Sequence, residues 1–275
     1  MTDRLHVKSY RLSLPRWPVG ARLKIVMVAD LHASWPWMRG DKIARIVDQA
    51  NELGGDLICL MGDYVAHYLL GLGINRHAVV PEEVAHALSR LEAPLGRYAV
   101  FGNHDWHDDP DAKRGKLSET RWHRAFRNAG VPTLDNRHVT LNVQGHPVIL
   151  AGLDSQRAFH RRFKRPILGA HDVVKALGTA PSEHFTILLA HEPDVFTDLS
   201  DAVDLTLSGH THGGQILIGG RPRIVPSRHG TRFAYGHHRI GQRDLVVSGG
   251  LGCSGVPFRW GVPPELTVVE LGTAA

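Results

Sequence analysis

Five short apolar runs in this chain stop abruptly at aspartate, asparagine or histidine. Lys24–Ala29 leads into Asp30-Leu31-His32, Leu57–Met61 into Gly62-Asp63, and Tyr98–Phe101 into Gly102-Asn103-His104-Asp105. Phe185–Ala190 leads into His191, and Leu205–Leu207 into Ser208-Gly209-His210-Thr211-His212-Gly213-Gly214. Short apolar runs bounded by turn residues read as buried strands, so the fold must carry several strands whose ends share one polar chemistry. Strand alternation lets Asp30 and His32 reach the same side. Glycine precedes the polar group at Asp63, Asn103 and His210, where the chain must turn tightly. A single Asp-x-His after a strand is an ordinary loop. Five strands ending this way gain nothing by clustering their donors unless an ion lies among them.

Three further runs, Val148–Gly152, Leu245–Val247 and Leu266–Val269, complete the strand pattern. Helical stretches are expected at Lys42–Leu53 and Pro81–Leu91, the second opening with a proline and two glutamates. The first half therefore reads βαβαβ. In the second half strands follow one another with shorter helices, which points to a pair of packed sheets flanked by helices, not a simple doubly wound sheet. Asp108–Lys116 is polar, contains Gly and Pro, and reads as a loop. With 275 residues, 43% hydrophobic and 21% charged, the chain suits one catalytic domain spanning 1–275 and excludes a disordered chain.

Taken together the five motifs resemble the calcineurin-like metallophosphoesterase superfamily, whose D-x-H, G-D, G-N-H-D/E, H and G-H-x-H pattern occurs here in full and in order. The resemblance runs from Lys24 to about Leu271. It is closest to the bacterial branch typified by the YkuE and YaeI proteins, through Gly209–Gln215 and the tail Ser248-Gly249-Gly250-Leu251-Gly252…Pro257-Phe258-Arg259…Pro263-Pro264-Glu265. It implies an α/β (α+β) class with a four-layer α/β/β/α sandwich of two mixed sheets. It also implies that Asp30, His32 and His212 hold one metal ion, that Asn103, His191 and His210 hold another, and that Asp63 bridges them. His104 is implied to assist the leaving group, with Asp105 orienting its ring.

Residue chemistry agrees with a pair of ions. A bridging carboxylate can hold two cations roughly 3.5–4 Å apart, where they lower the pKa of a shared water for in-line attack on phosphorus. Mixed nitrogen and oxygen donors without thiolate suit Mn, Fe or Zn, as divalent or mixed-valence ions. The expected activity is hydrolysis of a phosphodiester or pyrophosphate bond in a lipid-linked or nucleotide-type substrate by a metal-bridging hydroxide. A phosphomonoesterase is the first alternative; a nuclease, also an enzyme, and a non-catalytic scaffold are the others.

Substrate clues lie in two apolar loops expected to border the metals, Ser34-Trp35-Pro36-Trp37-Met38 and Tyr64-Val65-Ala66-His67-Tyr68-Leu69-Leu70. Trp35 and Trp37 either meet an acyl chain or base there or pack against a helix. Arg259 offers a planar fork for a second phosphate or a carboxylate, against the plainer reading of a surface arginine paired with an acid. Lys+Arg 32 against Asp+Glu 27 gives a net +5, which suits an anionic substrate and carries no strong nucleic-acid signal. The densest basic run is His160-Arg161-Arg162-Phe163-Lys164-Arg165, read as a phosphate-facing or merely solvated loop. Two cysteines, Cys59 and Cys253, form no secreted disulfide framework, and no run reaches the roughly 18 apolar residues of a membrane span. A cytoplasmic place is expected, with peripheral contact to the inner face of a membrane left open. The YkuE-like relatives often begin with a membrane-targeting segment, and the apolar core of a signal peptide is absent from the first residues here.

Overall fold

The computed structural model describes residues 5–67, 79–159 and 168–272. The run His160–Arg165 and residues Tyr68, Leu69 and Leu70 lie outside them. In chain order the strands are β1 (His6–Leu12), β2 (Leu23–Val28), β3 (Leu57–Leu60), β4 (Arg97–Ala99), β5 (Arg137–Val143), β6 (His146–Gly152), β7 (Phe185–Leu189), β8 (Leu205–Ser208), β9 (Leu217–Ile218), β10 (Arg221–Pro222), β11 (Gly236–Ile240), β12 (Arg243–Val247) and β13 (Glu265–Leu271). The helices are α1 (Gly40–Glu52), α2 (Pro81–Leu88), α3 (Asn103–His107), α4 (Pro110–Lys113), α5 (Arg121–Asn128) and α6 (Val173–Leu177).

One sheet has the order β1-β13-β2-β3-β4 and the other β11-β12-β8-β7-β6-β5, both mixed. Because strand residues alternate between faces, each apolar run is split between two cores. Ile25, Met27, Leu57 and Cys59 meet Leu150, Ile187, Leu189 and Leu207 between the sheets. The alternate residues Val26, Val28, Ile58 and Leu60 face outward onto Ile43 and Val47 of α1 and Val84 and Leu88 of α2. On the far side Ile149, Leu188 and Leu245 are covered by Ala176 of α6 and by Val195 and Phe196 of the 3-10 turn Pro193–Thr197. This is the four-layer α/β/β/α arrangement, with a thin outer layer on the second sheet. Each fully buried Leu, Ile or Phe contributes about 1.5–3 kcal/mol relative to exposure, and two-sided burial explains why the central strands are apolar throughout.

β2, β3 and β4 run parallel to one another, as do β6, β7, β8 and β12. Their C-terminal ends therefore gather on one edge of each sheet, and the two edges adjoin. The loop expected at Asp108–Lys116 instead contains α4, because the Asp109 side chain accepts from the Asp111 and Ala112 amides and Pro110 stands at the first helical position. Thr120 caps α5 in the same way, accepting from the Trp122 and His123 amides. With Thr120 fully buried, Thr120→Ala is expected to cost about 1–2 kcal/mol, read as a lower urea midpoint at unchanged m-value.

Candidate metal centre

At the joined edge the backbone departs from strand geometry at the very residues that carry the donors. Asp30, His32, Asp63, His210 and His212 all have positive φ, between 47° and 71°. Each such non-glycine residue costs on the order of 1–3 kcal/mol and persists only where its surroundings hold it. The holding contacts are present. Asp30 N donates to Gly62 O (3.2 Å), His32 N to Asp63 O (2.9 Å), and Gly252 N to Asp30 O (2.7 Å). His210 N donates to Asp30 Oδ1 at 2.9 Å, and His191 Nδ1 meets Met61 O at 2.8 Å, each bond crossing from one sheet to the other. Gly62 has φ +92°, and a Cβ on Gly102 would overlap Asp63 Oδ1 and the His191 ring, so these glycines admit the close approach of β3, β4 and β7 ends.

Three triads result, Asp30 with His32 and His212, Asp63 with His191 and His210, and His32 with Asp63 and His104. In each, one donor atom per residue lies within 4.8 Å of the others. His32 and Asp63 are shared, which links the groups into one centre. His32 Nε2 lies 2.9 Å from His212 Nε2 and 3.7 Å from Asp63 Oδ2; His191 Nε2 lies 3.2 Å from Asp63 Oδ2. Whether cations fit there is tested by the unpaired atoms. Among the described residues His210 Nδ1 and Asn103 Oδ1 are buried with no hydrogen-bond partner and His191 Nε2 faces only Asp63 Oδ2, while the other ring nitrogens of His191 and His210 face the carbonyls of Met61 and Pro226. A carbonyl partner fixes the N–H on one nitrogen and leaves the other as a lone pair aimed inward, the tautomer a metal requires. The donor set fits.

The electrostatics lead the same way. Burial, with Asp63 beside it, pushes the Asp30 carboxyl up to about 7. Burial would also raise Asp63, but the His191, His104 and His32 imidazoles around it hold it well below the usual carboxylate range. His32 is lowered by burial to about 4, and burial lowers His210 and His212 strongly, so these rings are neutral donors at pH 7. His191 differs from them: burial lowers its imidazole, but the Asp63 carboxylate beside it raises it well above the usual range, so it carries a proton that a cation bound between Asp63 and His191 would displace.

The profile of the calcineurin-like phosphoesterase family matches residues 23–214, which include every one of these donors. This chain belongs to that family. It is similar to the Bacillus subtilis metallophosphoesterase YkuE, 30% identical over 90% of this chain and 78% of that protein. It is also similar to a metallophosphoesterase of Aquifex aeolicus, 27% identical over 97% of this chain and 92% of that one. A Danio rerio transmembrane protein with a metallophosphoesterase domain is 29% identical over 92% of this chain and 54% of its own length. As a family member with these buried His and Asp clusters, the chain is a metal-dependent phosphoesterase. Among the described residues no helix is long and apolar enough to cross a membrane.

Other expected site residues fall where the sequence did not put them. Asp105 does not orient the His104 ring. Its carboxylate accepts the backbone amides of Asp63 (2.9 Å), Tyr64 (2.8 Å) and Gly102 (2.9 Å), fixing the turn that presents Asp63. The His104 ring instead faces His67, Nδ1 to Nδ1 at 2.9 Å, and Ser254 Oγ from Nε2 at 3.3 Å. Arg259 is neither open to a ligand nor paired with an acid. It donates to Gly252 O and Gly249 O, both at 2.7 Å, and to His212 Nδ1 at 2.9 Å. Trp35 and Trp37 are 50% and 43% exposed, and Trp35 borders a groove of about 210 Å³ against α1 and α2. They do not line the metal cleft, a cavity of about 520 Å³ bordered by Asn103, His104, Arg157, His210, Ile224 and Val256, among others. His67 and Ser254 were missed by sequence reading; the only local signal was a histidine in the loop after Asp63.

The fourth histidine–carboxylate cluster, His123 with Asp135 and Asp154, is of another kind. His123 Nδ1 accepts the Thr120 amide at 3.1 Å, so its proton sits on Nε2, 3.4 Å from Asp154 Oδ2. The cluster shares no residue with the centre linked through His32 and Asp63.

Two outcomes follow for the metal centre. Mn²⁺ at about a hundredfold its Kd adds about 2.7 kcal/mol, a rise of several degrees in melting temperature, which Asp63→Asn and His191→Ala should each largely remove. Asp105→Ala leaves three buried amides unpaired at about 1–3 kcal/mol each, so calorimetry should show a large loss of stability, and elemental analysis a loss of retained metal.

Proposed function

We propose that the protein hydrolyses a phosphodiester or pyrophosphate bond with two metal ions, on a lipid-linked or nucleotide-type substrate. The observation that carries this reading is a second donor group, Asp63 with His191 and His210, beside that of Asp30, His32 and His212, together with the buried His210 Nδ1 and Asn103 Oδ1 that have no hydrogen-bond partner among the described residues. Asp30, His32 and His212 would hold one ion, Asn103, His191 and His210 the other, and Asp63 would serve both. Mn, Fe or Zn suits these donors. Such ions polarise phosphoryl oxygens and lower the pKa of water, the chemistry this hydrolysis needs.

The chain's own groups do the rest. His104 N donates to Asp63 Oδ1 at 2.8 Å, so the α3 backbone holds Asp63 while the His104 side chain borders the cleft. Burial keeps the His104 imidazole neutral. With His67 Nδ1 as the donor to His104 Nδ1, the His104 proton would sit on Nε2, 3.9 Å from Asp63 Oδ2, where it could stabilise the departing oxygen. The apolar cleft wall of Ile216, Ile218, Ile224 and Val256 favours a leaving group with an apolar part, which an orthophosphate monoester of a small sugar lacks. A phosphomonoesterase is the second reading, favoured by Arg157 and Arg223 in the cleft wall as counterions for a dianion. We place the protein in the cytoplasm on its two free, buried cysteines, Cys59 and Cys253.

The test is turnover of bis(p-nitrophenyl) phosphate against p-nitrophenyl phosphate by Mn²⁺-loaded protein. Diester preference is expected, with activity abolished in Asp63→Ala. His104→Ala should lower kcat by about 10²–10⁴ while bound metal is unchanged. Monoester preference would replace this reading with the second one, and inactivity with both ions bound would remove it.

A further inference from the structure

Around the cleft runs a strip of exposed large apolar side chains interleaved with arginines. Ile218 is 57% exposed, Ile224 82%, Phe258 50% and Trp260 70%. They form one surface. The β9–β10 hairpin is joined to the tail segment by Leu217 N to Trp260 O (2.8 Å) and Trp260 N to Gln215 O (2.9 Å). Gln215 Nε2 also donates to Phe258 O at 3.1 Å, and Ile218 and Ile224 both border the cleft with Val256.

The charge around this strip has one sign. From Ile216 to Arg243 the sequence holds no aspartate or glutamate, and none occurs from Gly249 to Pro264. Six arginines stand in the first stretch, Arg221, Arg223, Arg228, Arg232, Arg239 and Arg243. Arg228, Arg239 and Arg243 are engaged by Asp198, Asp244 and Asp201. Arg221, Arg223 and Arg232 have no acidic partner among the described residues, and Arg221 and Arg223 flank the exposed Ile218 and Ile224 in the chain. Large apolar side chains are seldom left together in water. Isoleucine, phenylalanine and tryptophan beside uncompensated arginines match an interface whose interior is apolar and whose surface is anionic.

We propose that this rim seats the protein on an anionic lipid bilayer, with Ile218, Ile224, Phe258 and Trp260 entering the headgroup layer and Arg221 and Arg223 pairing with lipid phosphates. The metal cleft then opens towards the membrane surface, so that a phosphate ester carried by a membrane lipid reaches it without leaving the bilayer. The docking itself does not depend on the catalytic reading, because it is measured as binding.

The experiment is co-sedimentation of the full chain with phosphatidylcholine vesicles with and without phosphatidylglycerol, over a series of salt concentrations. Expected is sedimentation with the anionic vesicles alone, falling as salt rises. Arg221→Gln with Arg223→Gln should weaken it by on the order of tenfold. Trp260→Ser with Ile224→Ser should weaken it comparably at an unchanged melting temperature. The proposal is overturned if anionic vesicles do not bring the protein down, or if neither pair of variants changes binding. It is equally overturned if sedimentation velocity shows a dimer that Trp260→Ser dissolves, for then a second copy covers the strip. Vesicle binding by a protein inactive on diesters would leave the docking standing and remove only the catalytic reading.

Discussion

A single carboxylate, that of Asp63, sets the terms for the rest of this molecule. It is 1% exposed, and a buried charge of this kind persists only when it is surrounded by donors or cations. The His104 amide supplies one donor, and the His32, His191 and His104 rings lie within 3.9 Å of Oδ2. Its own amide is held by Asp105, which also ties Gly102 to the same carboxylate. Turn, helix α3 and ligand are thus one hydrogen-bonded unit, and every other candidate donor is brought to it by the end of a parallel strand.

That unit is built at a cost in backbone strain. Five donors occupy the left-handed region, where side chains are disfavoured, and the two packed sheets supply the rigidity that keeps them there. The arrangement is understandable for a site that must wait in shape for its ions. Ligands that relaxed between bindings would have to pay their ordering entropy each time, whereas strand ends locked by cross-sheet bonds such as His210 N to Asp30 do not.

The second sheet and the tail add what the donors alone lack. Arg259, fastened to two glycine carbonyls, buttresses His212 from behind, and Ser254 and His67 flank His104. The same tail pairs with the hairpin that forms the apolar, arginine-rich rim. The tail that pairs with the rim therefore also carries Arg259 and Ser254, which contact His212 and His104, so a change in the rim reaches the centre.

The central strands were legible in the sequence because two-sided burial demands unbroken apolar runs, and the ends of those runs fell within a residue or two of where the strands stop. The donors were legible for the same reason, since each follows such a run directly. The edge strands β1 and β11 were not: β1 is exposed along most of its length and β11 alternates exposed with half-buried residues, so neither carries a continuous apolar signal. Nor did the sequence disclose that Asp105 serves backbone amides, that His67 meets His104, or that Arg259 backs His212. The Asp105–Asp63, His67–His104 and Arg259–His212 contacts join residues 42, 37 and 47 positions apart. Local periodicity records which way a side chain faces relative to its neighbours, and it holds no record of which distant loop the packing of two sheets will bring opposite.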